Sequence, residues 1–243
     1  MQKFQKSIDI HFPGAQSEAV FLGSSYRAIA KHGFNADNTI ACVGVCRDEL
    51  CRSLVWAVRE VWGEAFNFSS LGGMLTLGTA GFNAAHAHAP VVDGRERYVY
   101  VVMPHIGIDE LGVLGKCLRD GRHGTSAACG ALTAMLNELK GGNLDLSLDQ
   151  DNIEYSILKQ HLTPRLLGPQ LQSQALDIKT ITMAMSNLIT DELEHMIELT
   201  VDTEIADYAV LTGVQVHQPV EGSMVWRNAS YVCVRGERRE LSW

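Results

Sequence analysis

The chain has 243 residues, 46% of them hydrophobic and 20% charged, with a formal net charge of −8. That length fits one large domain or two small ones and can bury a sizeable core without staples. The acidic balance argues against a nucleic-acid partner, which normally meets a basic patch or stripe. The densest basic stretch, Arg235 to Arg239, holds three arginines interrupted by acid and reads as a solvated tail. Apolar runs such as Tyr98–Met103 fall far short of the ~20 residues of a membrane-spanning helix. Met1–His11 lacks the apolar core of a secretory signal. Six dispersed cysteines point to reduced thiols in an intracellular compartment, with cytoplasm and plastid stroma both compatible.

In chain order, residues 16–31 have helical spacing and the following Gly33 suits a C-cap. Asn38–Val45 is a short β-branched apolar run, read as a buried strand. Asp48–Trp62 returns to helical spacing and closes at Gly63, so Cys46 and Asp48 fall at a strand–turn–helix junction. Residues 69–85 are rich in Gly, Ser, Thr and Ala, which lets the backbone approach a neighbour closely. Arg97–Met103 is the clearest strand, ended by Pro104-His105. Ser126–Lys140 reads as a helix with Cys129 near its start, ended by Gly141-Gly142. Helices are expected around Asn152–His161 and Gln170–Leu188, then strands at 208–217 and 229–234. Alternating strands and helices predict an α/β fold, a single domain over 1–243 with a mostly parallel central sheet flanked by helices.

In parallel α/β sheets, ligands gather beyond the carboxyl ends of the strands. Cys46 and His105 sit at two such ends, and Cys129 lies where a helix dipole lowers a thiol's pKa. Two thiolates and one imidazole supply three zinc ligands and leave a fourth tetrahedral position for water, the pattern of a catalytic site. A zinc-bound water ionises near neutral pH. Spacing alone does not single out this triple among nine histidines and six cysteines, and a lone buried cysteine is usually packing. Cys42, Cys51, Cys117 and Cys233 are read as core, and His86-Ala87-His88 as a polar loop before Pro90.

Four ordered segments narrow the choice: Val45-Cys46-Arg47-Asp48-Glu49-Leu50, Gly73-Met74-Leu75-Thr76-Leu77-Gly78, Val101-Val102-Met103-Pro104-His105-Ile106-Gly107, and Ser126-Ala127-Ala128-Cys129-Gly130-Ala131. Together they resemble the limiting-CO2-inducible B/C family, also called the theta class of carbonic anhydrases. The resemblance implies a fold and zinc site similar to the beta carbonic anhydrases, with Cys46, His105 and Cys129 as ligands. It also implies that Asp48 forms a dyad with an arginine. In the beta class that arginine stands two residues after the aspartate, where this chain has Leu50. Arg47 is the nearest replacement, with Arg52 and Arg122 behind it. The expected function is reversible CO2 hydration to bicarbonate, in a homodimer by analogy, with His88 or His123 as proton shuttle by residue type. Two alternatives stand beside it: a catalytically silent zinc- or bicarbonate-binding homologue, and a metal-free Cys/His thiol enzyme.

Overall fold

The computed structural model describes residues 2–119, 121–167, 176–219 and 222–242. Helix α1 (Gln2–His11) precedes a two-residue strand β1 (Gln16–Ser17) and helix α2 (Glu18–Ala30), whose first turn is capped by the Ser17 hydroxyl. Strand β2 (Ile40–Gly44) is buried at every position, as expected of a strand covered on both faces. A 3-10 turn at Glu49–Cys51 leads into α3 (Arg52–Trp62). Leu54, Val58 and Trp62 of α3 are buried at a four-residue spacing, and Gly63 ends the helix at φ 83°. Then come β3 (Ala65–Asn67), α4 (Gly78–His86), β4 (Glu96–Val102) and β5 (His105–Gly107).

A small hairpin, β6 (Lys116–Leu118) and β7 (Thr125–Ala127), lies apart from the main sheet. It is followed by α5 (Gly130–Gly141), α6 (Ile153–Leu166), α7 (Ile178–Thr200), β8 (Ala206–His217), β9 (Ser223–Val234) and β10 (Glu237–Glu240). The helix expected at 126–140 therefore starts later, because Ser126 and Ala127 are taken by β7. Of the helix expected at 170–188, the first residues lie outside the described segments and α7 begins at Ile178.

The main sheet runs β1-β9-β8-β4-β2-β3, parallel through β3, β2, β4 and β8 and antiparallel at β9 and β1. Strand β5 pairs with β8 in parallel and continues the line of β4 after a break at Met103-Pro104. Helix α7 packs against α4, α5, α6 and β8, while α2 packs on α3 and β9, so helices flank the sheet. The fold is the α/β architecture read from the sequence, with an antiparallel edge added to its parallel centre.

Register sets the site. Gly44 of β2 pairs with Val102 of β4, which pairs with Thr212 of β8. Strands β2 and β4 thus end level with Thr212 while β8 runs on beside β5, which brings Cys46, His105 and His217 to one edge of the sheet. The β6–β7 hairpin is tied to the same edge by Ala128, whose N–H donates to Gly115 O (3.0 Å) and whose carbonyl accepts from Gly107 N (3.1 Å). This tether sets Cys129 beside His105. It needs glycine at 107, where a Cβ would stand 2.6 Å from Lys116 O and 2.9 Å from Cys117 Cβ. Gly107→Ala should displace the hairpin and cost about 1–3 kcal/mol, as overpacking does. Urea unfolding measures the loss, and wild-type stability in the variant would contradict the assigned contact.

Candidate metal centre

Cys46 leaves β2 through a bridge to Ser70 and is 5% exposed. His105 is fully buried, and Cys129 occupies the N-cap position of α5 at 1% exposure. The two sulfurs are 3.8 Å apart, and the ligand atoms of all three residues lie within 4.8 Å of one another. Two Zn–S bonds of ~2.3 Å meeting at a tetrahedral angle set their sulfurs about 3.8 Å apart. His105 Nε2 is buried with no hydrogen bond of ordinary geometry, while its Nδ1 meets His217 Nε2 at 2.9 Å. A lone imidazole nitrogen facing two thiols fits a metal better than it fits a packed core. Gly73, at φ +85°, completes the enclosure: a Cβ there would lie 3.0 Å from Met103 O and 3.4 Å from Cys46 N.

The two sulfurs act as a pair. Cys46 is held down to about 4, chiefly by the thiol of Cys129 against the opposing effect of burial, with the His105 ring and the Asp48 N–H adding to it. Cys129 is pushed up by that same bond to Cys46 and by burial, against the N–H groups of Leu132 and Ala131 in the first turn of α5. A thiolate beside a thiol at this separation is a donor pair that suits a soft divalent cation.

Burial alone would raise the Asp48 carboxyl, but Arg119, the nearby His105 and the Leu50 N–H outweigh it and hold it well below the usual carboxylate range. Arg119 Nη1 and Nη2 donate to Oδ1 and Oδ2 at 2.8 and 2.9 Å, a two-pronged bond. Oδ2 lies 3.9 Å from His105 Nε2, so the carboxylate borders the centre. Arg119 follows β6 and is itself held by Ser126 Oγ (2.7 Å), Ala127 O (2.9 Å) and the Glu49 carboxylate. The arginine expected at 47 is elsewhere: Arg47 is exposed and pairs with Glu154 at 2.5 Å. Sequence adjacency failed here because the turn after Cys46 sends the Arg47 side chain outward while Asp48 caps the 3-10 turn.

A cleft of about 980 Å³ opens beside Arg119 and His217 and includes His123, Trp56 and Leu118 in its walls. His88 is exposed and lies against the Phe66 ring instead. His86 is not in a polar loop. It ends α4, stacks on Tyr98 and hydrogen-bonds the Tyr100 hydroxyl at 2.6 Å. Cys42, Cys51, Cys117 and Cys233 are buried and outside any disulfide. Cys51 forms a second possible set with His105 and His217. There, however, His105 Nδ1 is taken by its bond to His217, and burial pushes the Cys51 thiol up.

A family model described as limiting CO2-inducible proteins B/C beta carbonic anhydrases matches residues 16–236. The chain belongs to this family. The crystal structure of limiting CO2-inducible protein LCIB is 35% identical, with 96% of each chain covered and a TM-score of 0.82. A homologue of that protein is 21% identical, with 98% of this chain and 100% of the other covered and a TM-score of 0.85, a likeness of fold. No curated protein matches the sequence. Among the described residues no helix is long and apolar enough to cross a membrane.

The Asp48–Arg119 pair makes a testable claim about stability. A carboxyl whose folded pKa is depressed adds stability above its unfolded value of ~3.9, and that stability is lost as pH falls through the folded value. Arg119→Ala should cost about 1–3 kcal/mol at pH 7 and flatten the acid limb of the stability curve. Arg47→Ala, at an exposed pair, should stay within about 0.5 kcal/mol. Urea titrations from pH 7 to pH 3 compare the two, and equal losses would remove the distinction.

Proposed function

We propose that the chain is a zinc carbonic anhydrase that interconverts CO2 and bicarbonate. In this reading Cys46, His105 and Cys129 hold the metal, and Asp48 with Arg119 forms the catalytic dyad. The observation that carries the proposal is a buried Cys/His/Cys triple bordered by an ionised, arginine-clamped carboxylate. Zinc bound there supplies a Lewis acid and an open position at which water ionises near neutral pH.

The chain's own residues set up the rest. An ionised Asp48 can only accept hydrogen bonds, so it orients the O–H of the attacking water and leaves a lone pair free for CO2. Arg119 keeps Asp48 ionised, and its two parallel bonds hold the carboxylate from turning into the centre as a competing ligand. His123, on the cleft wall, is placed to pass the released proton to solvent. The exposed Trp56 and Leu118 beside the cleft offer apolar surface that a second copy would cover, in line with a homodimer. Six cysteines outside any disulfide suit a reducing, intracellular setting.

The silent zinc-binding homologue drew its support from the missing arginine after Asp48, and an arginine on Asp48 from elsewhere in the chain favours the active reading. A thiol enzyme would need a reachable sulfur, whereas Cys46 and Cys129 are 5% and 1% exposed. Metal analysis with stopped-flow CO2 hydration tests the proposal. We expect one zinc per chain, lost in His105→Ala, with hydration falling at least ~100-fold in Asp48→Ala and Arg119→Ala and near wild type in Arg47→Ala. Zinc without hydration would leave the silent homologue, and absence of zinc would return Cys46 and Cys129 to thiol chemistry.

A further inference from the structure

Behind the metal ligands runs a line of buried side chains for which the dyad chemistry has no use. His105 Nδ1 meets His217 Nε2 at 2.9 Å, and His217 Nδ1 meets Ser223 Oγ at 2.8 Å. The Ser223 hydroxyl also lies within reach of the Glu18 carboxylate. Glu18 Oε1 further accepts from Gln215 Nε2 at 2.6 Å and from the Ser53 hydroxyl at 3.1 Å. Exposure along the line is 0% at His105, 3% at His217, 6% at Ser223 and 9% at Glu18. A buried glutamate at the start of a helix would ordinarily turn to water, so its inward course calls for a reason.

The proton count gives the line a direction. A hydroxyl has one proton to donate, a neutral imidazole has one, and a carboxylate has none. The Gln215 amide nitrogen can only donate, which makes Glu18 the accepting end. Ser223 then directs its proton to Glu18 and accepts from His217 Nδ1–H. His217 Nε2 is left bare and accepts from His105 Nδ1–H. His105 Nε2 is thereby left with its lone pair facing Cys46 and Cys129. Sheet register holds the parts in place: His217 and Ser223 are cross-strand partners of β8 and β9, and Ser17, beside Glu18, pairs with Met224 next to Ser223.

We infer that Glu18, acting through Ser223 and His217, is a positioning residue that fixes the tautomer and ring orientation of His105 for metal binding. The inference rests on the zinc reading above. Outer partners of a ligating histidine are typically worth ~10–100-fold in metal affinity.

Ser223→Val and Ser223→Thr test it as a matched pair, because both are β-branched in a strand and differ in one hydroxyl. Zinc dissociation constants come from competition with a chromophoric chelator, and imidazole tautomers from 15N NMR of the zinc-free chain. We expect Ser223→Thr to behave as wild type, and Ser223→Val and Glu18→Gln each to bind zinc about tenfold or more weakly. His105 should be a single Nδ1–H tautomer in wild type and a mixture in the two weakened variants. A wild type that takes up no zinc overturns the zinc reading itself. A zinc-binding wild type with equal constants for Ser223→Thr and Ser223→Val, or an unchanged tautomer in Glu18→Gln, overturns the relay alone.

Discussion

Parallel pairing of β2 with β4 and of β4 with β8 brings three carboxyl ends to one edge of the sheet, and each segment delivers a side chain to the candidate centre or its surroundings. Cys46 follows β2, His105 follows the break after β4, and His217 closes β8. A one-residue slip in any of these pairings would send the outgoing side chain to the opposite face. The full burial of β2 and of Tyr98–Val102 makes such a slip costly, since no face of those strands can trade places with solvent. Packing in the middle of the sheet therefore fixes geometry at its rim.

What the rim gathers is an electrostatic problem that the chain solves locally. Two thiols, an imidazole and a carboxylate share one buried corner, where an unpaired charge would be expensive. The carboxylate is answered by a guanidinium with two parallel bonds, and that guanidinium is in turn fixed by Ser126, Ala127 and Glu49. Cys46 is held low beside the Cys129 thiol and the Asp48 N–H, and Cys129 meets N–H groups in the first turn of α5. The imidazole faces them with one nitrogen and is held from behind by the other. A divalent cation would complete the charge balance.

Much of this was legible from residues alone. The runs 38–45 and 97–103 are apolar, β-branched and bounded, so their strand character and the placement of Cys46 and His105 beyond them could be read directly. His217 obeys the same rule at the end of 208–217, and applying it a third time would have found it. Arg119 carried no such signal. It stands 71 residues from Asp48, on a hairpin of three-residue strands with little periodicity, so only tertiary structure joins them. Arg47 was favoured by adjacency, but neighbours in a turn point in different directions. The same hairpin shortened the helix expected from Ser126, since local propensity there yields to pairing with β6.

The hairpin that carries Arg119 stands outside the eight-stranded sheet, and most of its side chains face water. The core and the Asp48–Arg119 clamp are consequently built from different parts of the chain. The hairpin's exposed side chains can change without touching the sheet, while the backbone of Ala127 and Ala128 keeps Arg119 and Cys129 on one tether. The short hairpin therefore bears on the state of Asp48 more directly than the large sheet does.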